Sequence, residues 1–172
     1  MLKLMLENLL RRPPTIEAPA PSQDALEQLG RRVEARSRAR LGRSLAIREV
    51  DAGSCNGCEL EIHALNNPFY DLERFGIRFV ASPRHADVLL ATGPVTTNMQ
   101  EALLRTYEAT PDPKWVVAVG DCAVDGGVFK GSYAIHGGVD STVPVDLVIR
   151  GCPPTPAQML EGLCLLLEAN AG

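Results

Sequence analysis

Along the first ten residues the apolar positions recur at helical spacing: Leu2, Met5, Leu6 and Leu9 share one face, with Lys3 and Glu7 opposite. This predicts a short amphipathic helix that Pro13 and Pro14 stop. Residues 13–23, rich in proline and alanine, read as an extended linker. Residues 24–43 regain a helical period and carry six arginines by Arg43, which suits a solvated helix face or a lid on a partner.

From about residue 45 the texture changes. Short apolar or β-branched runs bounded by turn residues predict strands at Leu45–Val50, Ile77–Ala81, Val88–Thr92, Trp115–Val119 and Leu147–Ile149. Helix-like stretches lie near 59–75, 98–109 and 156–169, the last starting close to Pro156. Strands alternating with helices predict an α/β fold, a mostly parallel sheet with helices on both faces. The chain then divides into a helical N-terminal extension with its linker, residues 1–43, and an α/β domain, residues 44–172.

The first strand run leads into Asp51-Ala52-Gly53-Ser54-Cys55, the fourth into Gly120-Asp121-Cys122 and the last into Gly151-Cys152. In open α/β sheets ligands bind outside the carboxyl ends of the strands. Parallel strands would therefore gather Cys55, Cys58, Cys122 and Cys152 at one edge. These four follow the pattern C-x2-C-x63-C-x29-C-P. A [4Fe-4S] cluster takes one thiolate per iron, from more than one segment of chain. Zinc is the competing metal. Its four-cysteine sites usually present two close pairs, and here only Cys55 and Cys58 are close. A CxxC dithiol oxidoreductase is a further alternative, but it leaves Cys122 and Cys152 without a role. The fifth cysteine, Cys164, shares helical spacing with Leu160, Leu163 and Leu167 and is expected in the core as a small hydrophobe.

Composition narrows the class. At 172 residues, with 45% hydrophobic and 22% charged positions, the chain suits one soluble domain. A net charge of −4 gives no support for nucleic-acid binding. No apolar run approaches the roughly 20 residues that span a bilayer. Glu7 interrupts the first apolar run, and no small-residue cleavage site follows it. The expected compartment is the cytoplasm, where thiols stay reduced and serve metals or catalysis.

The remaining candidates are single residues. Glu59 and Glu61 follow Cys58, placed to face the cysteines or a partner, or simply to suit a helix N-terminus. His85 could tune a redox centre through a proton. Arg84 could balance its charge or pair with Asp87. His63 and His136 have no partner pattern that makes a metal site. The chain holds no Ser/His/Asp set, P-loop, G-x-G-x-x-G or G-x-S-x-G elbow, so no catalytic residue is assigned.

With these residues in view, the chain resembles the small, cluster-carrying subunit shared by [NiFe] hydrogenases and the 20-kilodalton subunit of respiratory complex I. The resemblance covers about residues 45–165. It rests on C-N-G-C-E-L-E, S-P-R-H-A-D-V-L-L-A-T-G-P-V, G-D-C-A-x3-G-x-F, G-G-V-D-x3-P-V-D and G-C-P-P-T-P. It implies a flavodoxin-like fold and one [4Fe-4S] cluster held by Cys55, Cys58, Cys122 and Cys152, next to the active site of a large subunit. Glu61 matches an acidic residue of the complex I branch, and Arg84 the arginine of its S-P-R motif. The C-N-G-C form, in place of two adjacent cysteines, is similar to that of group 4 membrane-bound, energy-converting hydrogenases such as formate hydrogenlyase. The chain lacks the further carboxy-terminal clusters and the export signal of periplasmic hydrogenase small subunits.

The resemblance thus implies an electron-transfer subunit, not catalytic alone. Its implied partners are a hydrogenase-type large subunit, a ferredoxin-like cluster subunit and membrane subunits. Its implied location is peripheral, on the cytoplasmic side of the cell membrane. A complex I-like, quinone- or antiporter-linked oxidoreductase is the alternative, and a zinc-stapled scaffold a more distant one.

Overall fold

The computed structural model describes residues 23–170. The expected helix over residues 1–10 and nearly all of the linker after it lie outside the described residues.

The chain opens with α1 (Gln23–Leu41) and β1 (Leu45–Asp51), followed by α2 (Gly57–Ala64), β2 (Ile77–Phe79), β3 (Val88–Thr92) and β4 (Val95–Thr96). It continues through α3 (Gln100–Ala109), β5 (Trp115–Val119), α4 (Asp121–Asp125), β6 (Ile135–Gly137), β7 (Leu147–Ile149) and α5 (Pro156–Ala169). Five strands form one sheet in the order β2-β1-β3-β5-β7, and every pairing is parallel. Counted within the sheet this is 2-1-3-4-5, the flavodoxin-like order, with its switch point between β1 and β3. β4 and β6 make a separate antiparallel ribbon.

Strands covered on both faces read as continuous apolar runs, and all five residues of β3 and of β5 are buried. Side chains alternate between two cores. Leu45, Ile47, Leu90 and Val117 face a layer with Leu26 and Val33 of α1, Ile62 of α2, and Leu160 and Leu163 of α5. Leu89, Ala91, Val116 and Ala118 face the other layer, with Leu103 of α3 and Ala123 of α4. Helices therefore cover both faces, as the strand–helix alternation predicts. A capping box starts α5. Thr155 Oγ1 accepts the Gln158 N–H at 3.3 Å, and Gln158 Oε1 accepts the Thr155 N–H at 2.8 Å.

Several boundaries differ from the sequence expectation. The helix expected over 59–75 stops at Ala64. Pro68 disfavours helical backbone at Asn67. The Asn67 side chain instead accepts the N–H groups of Phe69 (2.9 Å) and Tyr70 (3.0 Å), closing a turn before a 3-10 segment at Leu72–Phe75. β2 is shorter than expected, ending at Phe79. The arginines of α1 lie on its solvent side. Arg31 pairs with Glu27 at 2.6 Å, Arg38 with Glu34 at 2.9 Å, and Arg32 reaches Glu168 on α5 at 2.8 Å. Solvent screens exposed pairs of this kind, so the buried Leu26 and Val33 do more to hold α1.

Candidate metal centre

The cysteines stand on turns that leave the carboxyl ends of the strands. After β1, Asp51 Oδ1 accepts the N–H groups of Gly53 at 2.7 Å and Ser54 at 2.6 Å. Ser54 Oγ then accepts the Asn56 N–H at 3.0 Å, and Asn56 adopts the left-handed conformation at φ 70°. This reverses the chain so that Cys55 lies at the tip of the turn and Cys58 in the first turn of α2. After β5, Gly120 leads directly into α4, whose second residue is Cys122. A Cβ at position 120 would stand 2.6 Å from the Cys58 sulfur, so only glycine leaves room for that thiol. Asp121 joins this turn to the one after β7. Its N–H donates to the Gly151 carbonyl at 2.9 Å, and its Oδ1 accepts the Gly151 N–H at 3.2 Å. Cys152 follows immediately.

All four cysteines line one cavity of about 80 Å³, with Asp121, Gly151 and Pro153 among its other walls. Cys55 and Cys152 are exposed, Cys58 and Cys122 half-buried. Burial pushes the Cys58 thiol up to about 12, helped by the charges of Glu59, Cys122, Cys55 and Cys152. Cys122 is raised as well, chiefly by burial, although the Val128 N–H donates to its sulfur and works the other way. Such thiols are poor nucleophiles, unlike those of redox dithiols, whose pKa values are depressed. Four thiolates gathered here repel one another, and a bound cation relieves that repulsion. Among the described residues, no three His, Cys, Asp or Glu side chains converge closely enough to hold a single metal ion.

The other sequence candidates fall elsewhere. Glu61 is half-buried on α2 and lines no part of this cavity. Arg84 and His85 are exposed on a single 3-10 turn, Pro83–His85, and do not line the cavity either. Asp87 does not take Arg84 as its partner. Arg43 grips it bidentately at 2.6 and 2.8 Å, and the Ala46 N–H adds a third bond at 2.9 Å. Cys164 is buried in the core, its S–H donating to Glu168 at 3.7 Å. His63 and His136 are exposed. Asp51, Asp121 and Val128, which shape the cysteine turns, escaped the sequence reading. Only Asp51 carries a local signal, an Asp followed by Gly and Ser in turn register.

Known proteins resemble this chain over most of its length. The family described as NADH ubiquinone oxidoreductase, 20 Kd subunit, matches residues 55–166. "Formate hydrogenlyase subunit 7" of Escherichia coli is 50% identical over 128 residues, 74% of this chain and 50% of that protein. The chain thus spans half the length of that relative. "Probable membrane-bound hydrogenase subunit mbhJ" of Pyrococcus furiosus is 50% identical over 131 residues, 76% of this chain and 78% of that one. Among solved structures, a chain of the membrane-bound sulfane sulfur reductase, an archaeal respiratory membrane complex, superposes with a TM-score of 0.65 at 40% identity. That match covers 73% of this chain and 70% of the other.

Proposed function

Because the chain belongs to the NADH ubiquinone oxidoreductase 20 Kd subunit family, we propose that it is the electron-transfer subunit of a membrane-associated, energy-converting [NiFe] hydrogenase. It would carry one [4Fe-4S] cluster on Cys55, Cys58, Cys122 and Cys152. The observation that carries this reading is the delivery of four cysteines, from three separate turns, to one cavity at the carboxyl edge of a parallel sheet. The donor set suits the group. Thiols spread around a cavity fit one ligand per iron better than the tight tetrahedron of a zinc ion.

When bound, the cluster supplies one-electron transfer. The chain's own residues supply position and electrostatics. Asp51 sets the Cys55 turn, Asp121 ties the Cys122 and Cys152 turns together, and the Val128 N–H favours negative charge on the Cys122 sulfur. The rim supports a covering partner. Leu60, two residues beyond Cys58, and Val128, whose N–H meets the Cys122 sulfur, are exposed apolar side chains. A hydrogenase-type large subunit would cover this face and hold the reaction site, because this chain offers no catalytic set. A ferredoxin-like subunit would exchange electrons with it, and membrane subunits would anchor the assembly on the cytoplasmic side. No helix among the described residues is long and apolar enough to cross a membrane, which suits peripheral attachment.

A second reading, a quinone- or antiporter-linked complex without nickel, is favoured by one observation. The superposed structure belongs to a sulfane sulfur reductase. Nickel analysis and a hydrogen-evolution assay on the anaerobically purified complex separate the two. Nickel in the co-purifying large subunit, with hydrogen evolution, supports the hydrogenase. Cluster iron without nickel moves the assignment to the second reading, and a complex without iron contradicts both.

A further inference from the structure

Among the described residues, the lining of the cysteine cavity holds no Lys, Arg or His. Asp121 is its one charged side chain besides the cysteines. The charge-balancing role considered for Arg84 is therefore open, because Arg84 stands on the Pro83–His85 turn and does not line the cavity. Arg150 is placed to fill it. It follows β7, immediately before Gly151 and Cys152, and its Nη1 lies 3.7 Å from Asp121 Oδ1 and 3.9 Å from Asp125 Oδ2.

Each of these carboxylates already pins a cysteine turn. Asp121 Oδ1 accepts the Gly151 N–H at 3.2 Å, just before Cys152. Asp125 Oδ1 accepts the Gly127 N–H at 3.0 Å. Gly127 packs so closely on Cys122 that an added Cβ would stand 2.8 Å from its sulfur. Asp121 and Asp125 are the first and last residues of α4, so one guanidinium faces both ends of the element that carries Cys122. Contacts of 3.7 and 3.9 Å are longer than hydrogen bonds, and all three side chains are exposed enough for solvent to screen them. They add little to folding stability. Their consequence is electrostatic: a fixed positive charge against the cavity's one carboxylate, two residues from Cys152.

We propose that Arg150 is a positioning residue for electron transfer, acting through Asp121: it offsets that carboxylate beside the cysteines and so favours the reduced state of a cluster held there. The inference rests on the electron-transfer reading, which supplies the cluster. Reduction adds one electron to an already anionic group, with no bond of this chain made or broken, and a nearby cation stabilises the more negative form. Without Arg150, the Asp121 charge acts on the cluster unopposed and disfavours that electron.

The test is a potentiometric titration of the purified complex, followed by electron paramagnetic resonance of the signal that Cys122→Ala removes, with iron per chain measured in parallel. Arg150→Gln should keep its iron and make one-electron reduction about tenfold less favourable, a fall of about 59 mV in midpoint potential. Arg150→Lys retains the charge and should stay near the wild-type potential. Asp121→Asn keeps an oxygen for the Gly151 N–H and should raise the potential; combined with Arg150→Gln it should return the potential close to wild type. An unmoved or raised potential in Arg150→Gln, or a double variant as low as Arg150→Gln alone, overturns the proposal. Iron lost from Arg150→Gln and Arg150→Lys alike would tie the site to the shape of the guanidinium and not to its charge, and overturns it too. A wild-type complex with no cluster iron on this chain overturns the electron-transfer reading instead.

Discussion

Replacing Gly120 with alanine should cost the protein both stability and the proposed cluster. Gly120 joins β5 to α4 at φ 88° and ψ 154°. That backbone region is essentially closed to residues with a Cβ, and occupying it costs on the order of 1–3 kcal/mol. The added methyl would also stand 2.6 Å from the Cys58 sulfur and 3.5 Å from the Gly151 carbonyl oxygen. The sulfur has little room to yield, because Cys58 sits in the first turn of α2 and packs against the core beneath the sheet. Either its thiol rotates out of the cavity or the start of α4 shifts, and each change moves a ligand. Backbone strain and clash together should cost about 3 kcal/mol or more. For a chain of this size that lowers the melting temperature by roughly 6–12 °C. Differential scanning calorimetry measures the stability, and iron per chain measures the site. Gly126→Ala is the control. Gly126 also has a positive φ, 90°, but a Cβ there would meet Lys130 at 3.3 Å instead of a thiol. The control should melt lower yet keep its iron. A Gly120→Ala protein with wild-type iron content and an unchanged melting temperature would refute this reasoning.

The remaining predictions concern the thiols and one structural ion pair. Cys122→Ala should lose the cluster or leave a three-iron form, read by electron paramagnetic resonance; an intact four-iron spectrum would remove Cys122 from the ligand set. The metal-free chain should lose stability in alkali. Cys58 and Cys122 keep their protons in the folded state above the ordinary thiol pKa of about 8.5, whereas the unfolded chain releases them. Stability is therefore complete below that pH and falls as pH rises toward 12, seen as a declining urea midpoint; a flat profile between pH 8 and 10 (roughly the window around that pKa) would contradict the burial of these thiols. Arg43→Ala should destabilise the chain by about 2 kcal/mol, less than a fully buried pair because Arg43 is half exposed, with the buried Asp87 left to Ala46 alone. A change within a few tenths of a kcal/mol, near the limit for an ordinary surface substitution, would rule out that structural role.

How far the chain could be read in advance follows from which interactions are local. β3, β5 and β7 match the sequence expectation residue for residue: β3 and β5 because strands buried on both faces leave continuous apolar runs, and the edge strand β7 because its β-branched Val148 and Ile149 lead straight into the Gly151 turn. The four cysteines were legible for a related reason: each follows a strand end, so parallel strands bring them to one edge. The two-residue β4 and the three-residue β6 were not, since runs so short carry no period. The helix expected over 59–75 overran its true end because Leu65, Leu72 and Phe75 are buried yet belong to a turn and a 3-10 segment. Asp87 lies 44 residues from Arg43, and Asp121 is joined to Gly151 across 30 residues. Neither spacing leaves a mark in sequence.

The most direct test is to purify the chain anaerobically with its co-purifying subunits and to measure iron, acid-labile sulfide and zinc per copy, with electron paramagnetic resonance of the reduced sample. Cysteines arranged as ligands of one cubane predict four irons and four sulfides attributable to this chain, all lost when the four cysteines are replaced by alanine. Zinc without sulfide, or iron that survives that replacement, would contradict the assignment of the cluster to Cys55, Cys58, Cys122 and Cys152.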